Sequence, residues 1–197
     1  GALTSVLIII RNPLNLPVIF FLGIAFLGTL FSVMPSMRFD KSGYSDIFEA
    51  VLICNLVPAL GYLMNNASLH ILLFMLTIPM TLVYIAYKIV QSLESYSFDS
   101  THGHKSLAVR LDWKRAMQVH NILIMSAFLL LGIFPLFGQP WSITWPVLLT
   151  IPLGVYQIVK MVDILSGGPT HWKLHKLTAS GMIVMMAYMI AFTLWIR

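Results

Sequence analysis

The chain is 197 residues long, 58% hydrophobic and only 10% charged, with a formal net charge of +5 and a mean hydropathy of +0.86. So few charges cannot cover a soluble surface, and the apolar runs approach the ~20 residues that cross a bilayer, so composition excludes a soluble globular domain and defines a polytopic membrane protein. The positive balance comes without a soluble basic domain or aromatic platform, which sets nucleic-acid binding aside.

Gly1 to Ile10 is apolar but half the length needed to cross before Arg11-Asn12-Pro13 breaks it. It lacks the basic start and cleavage site of a secretory signal and the charged face of a helix lying on a membrane surface. It reads as the tail of a truncated helix, followed by a single transmembrane helical domain over 11–197. The fold class is all-α, a polytopic bundle with six spans at roughly 17–34, 46–64, 69–91, 116–136, 142–162 and 175–196. Pro58, Pro79, Pro146 and Pro152 fall inside these spans and predict kinks around a cavity. Asn65 to Ser68 and Phe137 to Trp141 are short enough to be tight hairpins, whereas the other connections are longer and polar. The single cysteine, Cys54, lies in an apolar run, so it serves packing rather than a disulfide framework.

Charges gather on one side. Arg38 and Lys41 occupy the first interhelical connection, Lys105, Arg110, Lys114 and Arg115 the one after the third span, and Lys160, Lys173 and Lys176 flank the last. Every acid joins them, and an alternating topology leaves only Arg11 and Arg197 for the opposite face. By the positive-inside rule the charged face is cytoplasmic, in a membrane expected to be the bacterial inner (cytoplasmic) membrane. Gathering acids and histidines there as well points to a polar chamber at that face.

Polar residues inside spans are costly against lipid, so Asn55, Gln91, Asn121 and Gln157 should point inward, mostly as interhelical glue. At helical spacing Tyr84, Lys88, Gln91 and Ser95 share one stripe, which makes Lys88, Gln91 and Ser95 candidates to line the chamber. His120, His171 and His175 are candidate cofactor ligands, since a neutral imidazole can hold haem iron or a pigment's magnesium. The plainer alternative is that His171 and His175 anchor the helix at the interface beside Trp172 and Lys173, with His102 and His104 as polar loop residues. A transporter would also use kinked helices and interior amides, but no internal repeat supports one.

Two polar stretches then stand out. Phe31-Ser32-Val33-Met34-Pro35-Ser36-Met37-Arg38-Phe39-Asp40-Lys41-Ser42-Gly43-Tyr44-Ser45-Asp46 resembles a loop of UbiA-type intramembrane prenyltransferases, retaining its Pro, Arg, Lys and Gly at Pro35, Arg38, Lys41 and Gly43. Asp99-x-x-x-Gly103-x-Lys105-Ser106-Leu107-Ala108-Val109-Arg110-Leu111 resembles the end of that family's second aspartate-rich motif. The resemblance covers most of the chain, and the six spans look like the last six of the family's nine helices.

The resemblance implies a fold that holds an allylic diphosphate beside an apolar channel, with Mg2+ bridging carboxylates to phosphate oxygens and basic residues adding charge neutralisation. Carried over by position, Asp99 would be a metal ligand, with Glu94 as a stand-in for a second acid. Arg38, Lys41, Lys105 and Arg110 would face the diphosphate. The first aspartate of the family's second motif falls at Ser95, however, and the Asn-Asp-x-x-Asp pattern of its first motif has no counterpart. Adjacent helical residues point about 100° apart, so Glu94 replaces the lost acid only if the backbone shifts. Lys88 also brings an ammonium to a place where Mg2+ wants only oxygens.

The residues therefore favour a non-catalytic or impaired relative of these enzymes, an accessory or scaffold subunit of a larger membrane complex that holds a quinone, a pigment or a lipid. The alternative is an active Mg2+-dependent prenyltransferase that moves an isoprenoid from an allylic diphosphate to an aromatic or similar acceptor. Either way the expected partners are membrane lipids and an isoprenoid-type ligand.

Overall fold

The computed structural model describes residues 16–33, 43–65 and 70–195, and all regular structure among them is helical. Gly1 to Ile10, Arg38 and Lys41 lie outside the described residues.

Helix α1 (Leu16–Val33) packs on the second span, where Gly28 matters: a Cβ there would lie 2.3 Å from the Phe48 ring. The second span begins as α2 (Ser45–Val51), passes through a π-turn (Leu52–Leu56) and continues as α3 (Val57–Asn65). Pro58 has no N–H with which to continue the four-residue ladder, and the chain widens just before it. There the Val57 N–H reaches Leu52 O, five residues back. The π-turn also aims Asn55 at α4 (Ile71–Glu94), where its amide donates to Thr81 Oγ1 (2.5 Å) and its oxygen accepts from Thr77 Oγ1 (2.8 Å). Lipid tails are as apolar as leucine, so burial alone does not drive these helices together. Packing and interhelical hydrogen bonds do, at about 0.6 kcal/mol for an average bond.

His70 Nδ1 caps α4 by accepting from Leu72 N (3.1 Å). Pro79 lies within α4, and the helix continues unbroken to Glu94. The polar stretch that follows is two short helices rather than an open loop. These are α5 (Tyr96–His102), closed by Gly103 at φ 72°, and α6 (Leu107–Leu111). Helix α7 (Trp113–Ile133) runs into a 3₁₀ turn at Phe134–Phe137. The fifth expected span is a bent pair, α8 (Trp141–Leu148) and α9 (Ile151–Leu165), with 42° between them. Pro152 lies in the first turn of α9 and has no N–H to carry the α8 ladder across Leu148 O, so the axis breaks just before it. The buried Thr150 hydroxyl donates to Val147 O (2.7 Å), a carbonyl that also accepts the Thr150 backbone N–H at the break. Helix α10 (Trp172–Trp195) closes the chain.

Among the described residues four helices are long and apolar enough to cross a membrane, and the bent pair makes a fifth. The first expected span is helical, but its described apolar stretch, Leu16–Gly28, is shorter. Helix α4 is central. It packs on the π-turn, α7 and α10, while α9 packs on α7 and α10 to complete a four-helix ring. Within α4's span 44% is buried, against 17% for α10. Two apolar clusters fill the ring. One joins Ile89, Leu93, Leu107, Met117 and Met161; the other joins Val83, Ile124, Leu131, Met182 and Met186.

Gly154 allows the close approach of α9 to α7, since a Cβ there would stand 2.3 Å from Phe128 Cε2 and 3.2 Å from Ile124 Cγ2. Gly154→Leu should overpack this contact and destabilise the protein by about 1–3 kcal/mol. Thermal unfolding in detergent, read against Gly132→Leu where the glycine faces open space, measures the difference.

Candidate functional site

At the charged end a polar cleft of about 200 Å³ opens between α2, α4 and the α5–α6 connection. Four residues of α4 and its end, Lys88, Gln91, Ser92 and Ser95, supply one wall because their spacing puts them on one face. Ser45 and Asp46 come from the start of α2. Asp99 comes from α5, and His104, Lys105 and Ser106 come from the turn before α6.

The acids in and beside the cleft are already engaged. Lys88 Nζ bonds Glu49 Oε2 at 2.9 Å and lies 3.4 Å from Asp46 Oδ1, and Tyr84 OH donates to the other oxygen of Glu49 at 2.7 Å. Asp46 Oδ2 accepts from the backbone N–H of Leu107 at 3.4 Å, which ties the start of α6 to α2. Asp99 is only 6% exposed. Its Oδ2 accepts from Ser95 Oγ at 2.8 Å, an i to i+4 contact across the join between α4 and α5. A carboxylate at Ser95 would face Asp99 with like charge and require a cation between them; the hydroxyl closes the pair by itself.

The two polar stretches meet at their described ends. Gly43 at φ 71° lets its backbone approach the 105–110 segment, since a Cβ would lie 3.0 Å from Lys105 O. Beside it, the Arg110 guanidinium sits 4.0 Å above the Tyr44 ring and donates to Tyr44 OH at 2.6 Å. Arg110 therefore clamps the two stretches at the rim and does not line the cleft.

Among the expected site residues, Lys88, Gln91, Ser95, Asp99 and Lys105 come together here, and Arg38 and Lys41 lie outside the described residues. Glu94 departs from expectation. It pairs with Lys176 and lines a separate groove of about 590 Å³ with Thr170, His171, Trp172, Lys173 and Leu174. The cause is the 100° step between neighbours on a helix: with Ser95 turned into the cleft, Glu94 turns away. The three candidate ligand histidines also separate. His171 is exposed in that groove, whereas His120 and His175 are buried in the helix ring. Asp46, Glu49 and Tyr84, which hold Lys88, are among the members not singled out as site residues from sequence. Their signal was present, in the i, i+3 acids at the start of α2 and in Tyr84 four residues before Lys88.

The described residues do not make a dedicated Mg2+ site. No group of three His, Cys, Asp or Glu among them could hold a metal. An ammonium occupies the centre of the acids, and Asp99 alone is left with a neutral hydroxyl partner. Mg2+ requires near-octahedral oxygen ligands, commonly one or two carboxylates together with substrate phosphates.

Among the described residues, an all-helical bundle of membrane-crossing length with a polar cleft between spans at its charged end defines an integral membrane protein. The chain belongs to the UbiA prenyltransferase family, whose family model matches residues 1–177. No curated protein and no solved structure matches it significantly. Enzymes of this family generally use Mg2+.

Lys88→Met would leave Asp46 and Glu49 partly buried without their cation, at a cost of about 1–3 kcal/mol. The expected result is a lower unfolding midpoint in detergent. Adding Asp46→Asn and Glu49→Gln to Lys88→Met should recover part of the loss, which a triple-variant melt would show.

Proposed function

We propose that this protein uses the prenyltransferase architecture to hold the polar head of an isoprenoid-type lipid, quinone or pigment without ionising it, as a non-catalytic or impaired subunit of a larger membrane complex. The observation that carries this reading is the Ser95–Asp99 hydrogen bond. Where the family's motif pairs two acids, this chain closes the pair with a hydroxyl, so the position no longer demands a divalent cation. The fixed ammonium of Lys88 supports the same reading, because it compensates Asp46 and Glu49 permanently. In this reading Lys105 faces a phosphate or carbonyl oxygen of the head, Lys88 holds the wall beside it, and the tail lies among the apolar helices. The charged face is cytoplasmic, and the membrane is the bacterial inner membrane.

The alternative, an active Mg2+-dependent prenyltransferase, is favoured by one feature: buried Asp99 still lines the cleft beside Lys105. The readings separate on turnover. Membranes containing the full-length protein should not consume an allylic diphosphate in the presence of Mg2+, and gentle detergent purification should retain stoichiometric partner proteins. Consumption that Asp99→Ala abolishes would overturn the proposal.

A second test uses the wild-type closure itself. Ser95→Asp should recreate a carboxylate pair, so the variant should melt lower than wild type without divalent cations and regain stability as Mg2+ is added, following mass action. Wild type should show no such Mg2+ response.

A further inference from the structure

We propose that His120, Gln157 and His175 bind one internal water molecule at the centre of the ring formed by α4, α7, α9 and α10. This site is separate from the polar cleft. The three residues come from three different helices, α7, α9 and α10, and are 0%, 0% and 2% exposed. Each has one buried polar atom with no partner among the described residues: His120 Nε2, Gln157 Oε1 and His175 Nδ1. Such atoms are rare in a native core unless water or another polar group meets them.

Their neighbours fix what kind of guest fits. His120 Nδ1 faces Asn121 Oδ1 at 3.0 Å, and a carbonyl oxygen only accepts, so Nδ1 carries the proton and Nε2 presents a lone pair. The Gln157 amide nitrogen donates to His175 O at 3.0 Å and to Thr178 Oγ1, which leaves Oε1 as a second acceptor. His175 lies within electrostatic reach of His120, and its ring is flanked by Tyr156 and Trp172. Its Nδ1 can carry a proton. Two acceptors and one donor match a water that donates twice and accepts once. A divalent metal fits poorly. No acid or thiolate joins the group to form a metal-holding cluster, and a dication would sit uncompensated between apolar clusters. The water adds α7 to the polar contact that Gln157 already makes between α9 and α10, and so fixes the register of the three helices.

The test is magic-angle-spinning NMR of protein with 15N-labelled histidine in lipid bilayers. Expected are neutral imidazoles, His120 with a proton on Nδ1 and a bare Nε2, His175 with a proton on Nδ1, and a water-proton cross-peak to His120 Nε2. In Gln157→Met, close in volume, that cross-peak should fall at least several-fold while the remaining histidine signals stay in place. A charged imidazole, the opposite His120 tautomer or no water contact in the wild type overturns the proposal, and these readings need no variant to fold. A cross-peak unchanged in Gln157→Met also overturns it. So does one equivalent of metal by elemental analysis that disappears in His120→Ala.

Discussion

The cleft hangs on the ammonium of Lys88, held between two carboxylates of the neighbouring span. Lys88 comes from α4, the most buried helix, and Asp46 and Glu49 come from the first turns of α2. Because Asp46 also accepts the Leu107 N–H, the same contact that joins α2 to α4 positions α6 and the turn that carries Lys105. In the low dielectric near a membrane face such a tie is strong only while every member is present, since one missing partner leaves a charge without compensation. A tethered cation differs from a metal ion in one respect that matters for function: it does not exchange, and it offers no open coordination position to a ligand's phosphate.

Ser95 and Asp99 apply the same logic to the other wall. Two carboxylates one helical turn apart are stable only when a cation or a proton is shared between them, which makes metal affinity a property of their own repulsion. With a hydroxyl in place of one carboxylate that repulsion is absent, and Ser95 donates to Asp99 directly. Much of the architecture rests on helix packing and on amide and hydroxyl bonds such as Asn55 to Thr77 and Thr81, which lie outside the cleft. The side chains of the cleft can therefore change while the fold stays.

Much of this was legible in the sequence, for identifiable reasons. Bilayer thickness imposes a length that apolar runs reveal directly, and lipid offers Asn55 no partner, which favours glue between helices over ligand contact. Pro146 and Pro152 foretold the α8–α9 break because a missing N–H acts locally. The spacing Lys88, Gln91, Ser95 foretold one wall of the cleft. The other wall was not legible. Asp46 and Glu49 meet Lys88 across a sequence separation that no local pattern encodes, and the helicity of α5 and α6 depends on tertiary anchors, Leu107 N on Asp46 and Trp113 against Tyr96 and Trp172. The direction of Glu94 followed from helix geometry once Ser95 was known to face inward. The histidines divided because an i, i+4 pair at a helix start straddles the boundary between groove and core, and only packing decides which one turns in.

The π-turn at Leu52–Leu56 has a consequence for how the two ends of this span vary independently. One additional residue in a helical turn rotates everything on one side of it by about 100° relative to the other. The face that α3 shows to its neighbours and the face on which α2 carries Asp46 and Glu49 are therefore set by a single residue of phase. Losing that residue would keep the span, its length and its apolar character, yet swing both carboxylates about a quarter turn away from Lys88. The azimuth of the charged end is thus set by the number of residues in one turn before Pro58 as much as by the choice of side chains.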